Sequence, residues 1–192
     1  MRHAFAALLV VVTFACGPLT SPPDKEMNQA RGAIKAARAA GADAYAIPEY
    51  QAALASLKRS EDAVAQRDFR QALNFALDSR EQAENAARAA ADGKAAARSQ
   101  AERQLHDTET ALQDATARLN AIDAARGRRR PLTAERSAIA SAEQSVQKAR
   151  TAMAAGDFIA AREATTGGVD QLRAAIQGIE QAIQPQPARR RQ

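Results

Sequence analysis

The chain has 192 residues, of which 51 are Ala; aromatic residues supply only 4%, Trp is absent and the net charge is +5. A β-sandwich or barrel needs short alternating runs of β-branched and aromatic residues, and a doubly wound α/β enzyme needs Val/Ile-rich buried strands. Neither pattern occurs, and a chain rich in Ala, Glu, Gln and Arg with few breakers is expected to be all-α.

Met1-Arg2-His3 is short and basic, and Phe5 to Ala15 is an apolar run of 11 residues. Residues 1–15 therefore read as a secretory signal peptide. The run is too short to span a bilayer, which takes roughly 20 residues. Cys16, the sole cysteine, follows at once. That position resembles the lipobox of bacterial lipoproteins, where a Leu-Ala/Ser-Gly/Ala-like triplet precedes a Cys that takes a diacylglyceryl group. Ala15 matches the last place of the triplet; Phe14 and Thr13 depart from it. The resemblance implies acylation of Cys16 and a membrane partner. Gly17 is not the Asp of an inner-membrane retention signal, so the implied home is the periplasmic side of the outer membrane. Several acyl chains on one Cys give stable anchoring. A plain signal peptide with an incidental Cys is the alternative. Residues 16–25 carry Pro18, Pro22 and Pro23 and are expected to be a flexible tether. With no second cysteine, helix packing must hold the mature chain.

The first predicted helix covers 26–40, with Met27, Ala30, Ile34 and Ala37 on one stripe and Gly41 as its stop. Pro48 and Glu49 suit the first turn of a second helix, which runs to Gln66 with Tyr50, Leu54, Leu57 and Val64 on its stripe. Asp68 caps a third helix that opens at Phe69 and meets no strong breaker before Gly127. Unbroken, it would extend about 80 Å at 1.5 Å per residue. Asp92-Gly93 is the one place where it divides, if it divides at all.

No large apolar side chain stands between Leu77 and Leu105. The apolar positions there include Ala83, Ala86, Ala90, Ala97 and Ala101. A smooth Ala face permits close approach, so these five are the expected contact with a partner helix. On that reading Ala90→Glu removes the partner without unfolding the protein.

A seven-residue repeat then sets in with Leu105, Leu112 and Leu119, with Ala115 and Ile122 between its steps. Gly127-Arg128-Arg129-Arg130-Pro131 is a turn. Leu132, Ile139, Val146 and Met153 continue the spacing in a fourth helix. Val169, Leu172, Ile176, Ile179 and Ile183 mark a fifth, with a soft spot at Thr165-Thr166-Gly167-Gly168. Sustained heptads joined by short turns predict elongated antiparallel helical hairpins in a coiled-coil-like bundle. The expected organisation is an Ala-rich helical region over 26–126, a C-terminal helical hairpin over 127–184 and a basic disordered tail over 185–192.

Asp68-Phe69 and Asp157-Phe158 lie 89 residues apart, with Ala63/Ala152 and Ala72/Ala161 in register. Each marks a helix, a tight turn and a second helix that opens with Phe. Gly156 suits the left-handed stop of one helix and Asp157 the cap of the next. Arg67 takes the Gly position in the first hairpin. Duplication and the shared needs of a tight hairpin explain this repeat equally.

The stretch Ala36-Ala37-Arg38-Ala39-Ala40-Gly41-Ala42-Asp43-Ala44-Tyr45-Ala46, then Pro48-Glu49 and Asp68-Phe69-Arg70-Gln71-Ala72, resembles the family called domain of unknown function 4398. The resemblance covers 28–105, with departures at Ile47 and Arg67. It implies an α-helical module of the bacterial envelope, often lipid-anchored and sometimes joined to a cell-wall-binding domain. It carries no active site.

The residues suggest no enzyme. His106 is the sole histidine of the mature chain and reads as a solvated helix position. No His or Cys spacing suits a metal, no Gly-rich loop suits a phosphate, and no base stands ready for a Ser nucleophile. No cofactor is expected. Arg128, Arg129 and Arg130 are candidates for contact with an anionic surface, and Arg189–Arg191 repeat the charge. Nucleic acid is not expected, since no aromatic stacking platform accompanies the charge.

Two readings remain. One is a lipid-anchored periplasmic scaffold or interaction protein that binds a protein partner, itself or cell-wall polymers through its helices. The other is a soluble periplasmic binding or chaperone-like module that uses Tyr45, Tyr50, Phe69 and Phe75 as a pocket.

Overall fold

A computed structural model describes residues 21–124 and 131–183, and all its regular elements are helices. They are α1 (Asp24–Ala39), α2 (Ala42–Tyr45), α3 (Ile47–Ala65), α4 (Phe69–Ala124), α5 (Thr133–Ala155), α6 (Phe158–Thr165) and α7 (Gly168–Ile183). The all-α expectation holds. The signal segment 1–15, Cys16, the turn at Arg128–Arg130 and the tail 185–192 lie outside the described residues.

Several boundaries differ from expectation for local reasons. α1 begins at Asp24, inside the stretch expected to be tether, with Pro23 at its N-cap and Asp24 and Glu26 at the positive end of its dipole. The link after Gly41 holds the four-residue α2. α4 passes unbroken through Gly93, because one Gly costs a helix only about 1 kcal/mol relative to Ala. The soft spot at Thr165–Gly168 does break the last helix: Thr166 is extended and Gly167 has φ +74°.

The chain forms two compact units that divide after Ala90. The boundary falls inside α4, and hence inside the region expected to run 26–126. Residues 69–90 of α4 complete unit one, and residues 91–124 belong with the C-terminal helices in unit two.

In unit one, α3 runs antiparallel to the first part of α4 along a seam of small residues. α3 buries Ala53, Ser56, Ser60 and Ala63; α4 buries Ala72, Ala76, Ser79, Ala83 and Ala86. The Ser60 hydroxyl donates to the Ala72 carbonyl at 2.8 Å, and the Ser79 hydroxyl donates to the Ala53 carbonyl at 2.8 Å. Two bonds of side chain bridge the helices, so the backbones lie close. Ile34 and Ala37 of α1 and Tyr50 of α3 close the core. Arg31 reaches Glu61 at 2.8 Å, and Arg80 reaches Gln29 at 3.0 Å.

Unit two is packed with larger side chains. Leu119 and Ile122 of α4, Ile139 of α5, and Leu172 and Ile179 of α7 share one core with Leu132. Arg136 of α5 meets Asp123 at 2.6 Å, and Arg150 meets Glu109 at 2.8 Å, which fixes α5 antiparallel to α4. Arg118 pairs with Glu180 and Gly168 lies against Thr108, which together set α7 parallel to α4.

The two Asp-Phe turns share one hydrogen-bond pattern. The Asp68 N–H donates to the Ala63 carbonyl and the Arg67 N–H to the Val64 carbonyl, both at 2.9 Å. The Asp157 N–H donates to the Ala152 carbonyl at 2.9 Å and the Gly156 N–H to the Met153 carbonyl at 3.1 Å. This is the Schellman closure. Each Asp then caps the next helix: Asp68 Oδ1 accepts from the Gln71 N–H at 3.0 Å, and Asp157 Oδ1 from the Ala160 N–H at 2.9 Å. The left-handed residue is Gly156 at φ +76° in one turn and Arg67 at φ +59° in the other.

A side chain in the left-handed region costs roughly 1–2 kcal/mol. Arg67→Gly is therefore expected to stabilise the protein by about 1 kcal/mol. Nothing lies within 4 Å of a Cβ placed on Gly156, so Gly156→Ala is expected to cost about 1 kcal/mol from backbone strain alone. Denaturant titration of the two variants measures both signs.

Candidate functional site

The five alanines expected to meet a partner are buried within the chain. Ala83, Ala86 and Ala90 are 0% exposed, Ala101 is 1% and Ala97 is 7%. Ala83, Ala86 and Ala90 pack in the core of unit one with Ile34, Tyr50 and Ala53. The expectation of a free contact face is corrected: the smooth Ala face is matched by the chain's own helices. Close approach was the right physics, but the helix it admits is internal. Ala90→Glu would place a carboxylate in that core and unfold unit one rather than release a partner.

The aromatic pocket of the second reading is not assembled. Tyr50 is buried in the core with Tyr45 packed against it. Phe69 and Phe75 are half-buried on α4, and the Arg59 guanidinium lies 5.9 Å from the Phe75 ring centre.

His106 is exposed on α4, beside Asp107, Asp114 and Arg173, at the rim of a shallow hollow of about 470 Å³. Among the described residues no group of three His, Cys, Asp or Glu could hold a metal ion, and no helix is long and apolar enough to cross a membrane. A larger hollow of about 530 Å³ lies between α5 and α7, lined by Ala134, Ser137, Ala138, Ser141 and Ala174. Buried Glu135 sits at its base, opposite Gly178, where any Cβ would collide with the carboxylate.

The charged groups on these helices are spread along solvated faces. The Arg118 guanidinium donates a hydrogen bond to the Asp114 carboxylate, and this, with the charges of Asp114 and Glu180, raises its pKa above the ordinary value. The hydrogen bonds that Arg136 donates to the Asp123 carboxylate do the same for Arg136. Both pairs are exposed, and such pairs set helix register more than stability. The described residues thus offer polar helix surfaces and shallow hollows rather than an enclosed cleft.

Sequence reasoning missed Ser56, Ser60, Ser79 and Thr108, all buried. The available signal was their spacing. Ala53, Ser56, Ser60 and Ala63 repeat at three and four residues, as do Ala76, Ser79, Ala83 and Ala86. The helical period holds only if Ser is counted as a small core residue.

No family model, no curated protein and no solved structure matches this chain. The resemblance over 28–105 therefore rests on the residues quoted for it.

The seam tests the reassignment of the alanines directly. Ala86→Leu overpacks a position with no space and is expected to cost about 1–3 kcal/mol. Ser79→Ala leaves the helices in place but removes a buried hydrogen bond, at about 1 kcal/mol. Ala95→Leu, on an exposed position of the same helix, is expected to stay within about 0.5 kcal/mol of wild type. Thermal or urea unfolding of the three variants measures the order.

Proposed function

We propose that this protein is a lipid-anchored helical scaffold or interaction protein on the periplasmic side of a bacterial outer membrane, without catalytic activity. One observation carries the reading: the sole cysteine, Cys16, directly follows an 11-residue apolar run behind a basic start. On this reading residues 1–15 are removed, acyl chains on Cys16 hold the membrane, and the helical units stand on a short tether. Two cores closed within the chain support it, because they leave polar helix faces as the working surface. Arg128, Arg129 and Arg130 would supply contact with anionic headgroups.

Membrane fractionation of wild type and Cys16→Ser, with mass analysis of the mature N-terminus, tests the anchor. The expected result is an acylated wild type in the membrane fraction and a variant that loses attachment or processing. Wild type and variant both processed and free in the periplasm would overturn it and favour a soluble module.

The basic turn is tested separately on the unanchored Cys16→Ser protein with vesicles of anionic lipid. Replacing Arg128, Arg129 and Arg130 by Ala is expected to weaken binding by about 1 kcal/mol per residue at low salt. Equal binding by the parent and the triple variant would remove the headgroup role.

A further inference from the structure

The stretch of α4 from 91 to 96 differs from the helix on either side of it. Ala90 is fully buried in the core of unit one, and Ala97 is the next buried residue along the helix. Between them Ala91, Asp92, Lys94, Ala95 and Ala96 are exposed, and Gly93 is half-exposed. These six residues make more than one and a half turns of helix at 3.6 residues per turn. They bury no side chain in either core, so their helical state rests on backbone hydrogen bonds and intrinsic propensity. Most helical stability in folded proteins comes instead from packing an apolar face.

The residue choice lowers the remaining support further. Gly93 falls at a seam position, three residues after Ala90 and four before Ala97. A Gly there has no side chain to pack, and its backbone has the most freedom to gain on opening. Asp92 also has low helix propensity. Amide exchange commonly shows that segments with few buried contacts open at much lower cost than the cores around them.

We propose that residues 91–96 of α4 are a built-in helical link that opens locally while the packed helices before Ala90 and after Ala97 stay folded. The link gives α4 a point at which it can yield without loss of either core. It also places one protease-accessible lysine there. Lys94 is the only lysine between Lys58 and Lys148.

Two measurements on the full chain test this. The first is limited digestion under native conditions with a lysine-specific endoprotease. Apart from trimming at Lys25 in the first turn of α1, the expected first cut is after Lys94, ahead of Lys35, Lys58 and Lys148, with both products remaining helical and unfolding cooperatively. A first cut at Lys35, Lys58 or Lys148, or products that lose their helical signal, would overturn the proposal. The second is native-state hydrogen exchange resolved along α4. Amides of 91–96 are expected to exchange at least tenfold faster than those of 83–90 and of 115–122. Gly93→Ala is expected to slow both the cut and the exchange of the link about fivefold, the ratio equivalent to about 1 kcal/mol of helix propensity. Uniform protection across 83–122 in wild type, or no change in Gly93→Ala, would show that α4 opens only with the global unfolding of its units.

Discussion

Unit one depends on how closely two helix backbones can approach. Between Ala53 and Ala63 of α3 and between Ala72 and Ala86 of α4 the buried side chains are all Ala or Ser, and the Ser60 and Ser79 hydroxyls reach carbonyl oxygens of the opposite helix. Those carbonyls lie within helices and still have a lone pair to offer. A buried hydroxyl without a partner costs about 1–3 kcal/mol, so the same residues that permit the approach also require it. The interface is thus specified twice: sterically by Ala and geometrically by Ser. That double constraint explains how helices with so little apolar bulk find one register.

Unit two uses a different arrangement along the same α4. Its seam passes from Ala97 and Ala101 through Thr108 to Leu119 and Ile122. Bulk rises toward the C-terminal end, where Leu132, Ile139, Leu172 and Ile179 meet it. At about 25 cal/mol per Å² of apolar surface, Leu and Ile contribute far more burial per residue than Ala. The break between α6 and α7 fits this gradient. Gly168 lies against buried Thr108 of α4, and a Cβ there would come 3.1 Å from the Thr108 methyl carbon. The chain bends where a small residue is needed for contact, then resumes as a helix with Leu172 and Ile179 fully buried.

Much of the fold was legible because local chemistry decided it. Helix propensity identified the class, the Asp-Phe pairs identified both hairpins, and Gly156 marked a left-handed stop. The heptads of Leu119, Ile139 and Ile179 identified the larger core. The Ala face at 83–101 was legible as a smooth surface but not as an internal one. Ala packs equally well against the chain's own helix and against another protein's, and neither bulk nor charge distinguishes the two. Ser56, Ser60 and Ser79 were illegible for a related reason. Read singly, a Ser on a helix is a solvated polar residue; only the opposite carbonyl makes it part of the core. The candidate site was the least legible part, because the residues that suggested attachment, Cys16 and Arg128–Arg130, lie outside the described residues.

The composition can be understood from the interface it must build. Ala has the highest helix propensity, so helices rich in it need little tertiary support to form. The same residue makes a thin seam, so each helix spends one narrow stripe on packing and leaves the rest of its circumference to solvent. That surface carries Lys, Arg, Asp and Glu in near balance, joined by pairs such as Arg98–Glu102 and Lys58–Asp62. Exposed pairs of this kind contribute little to stability and can change at little cost. The interior of each unit is thus exacting and its exterior tolerant: a shift of register at the α3–α4 seam strands the Ser60 and Ser79 hydroxyls, whereas a change of surface charge costs little.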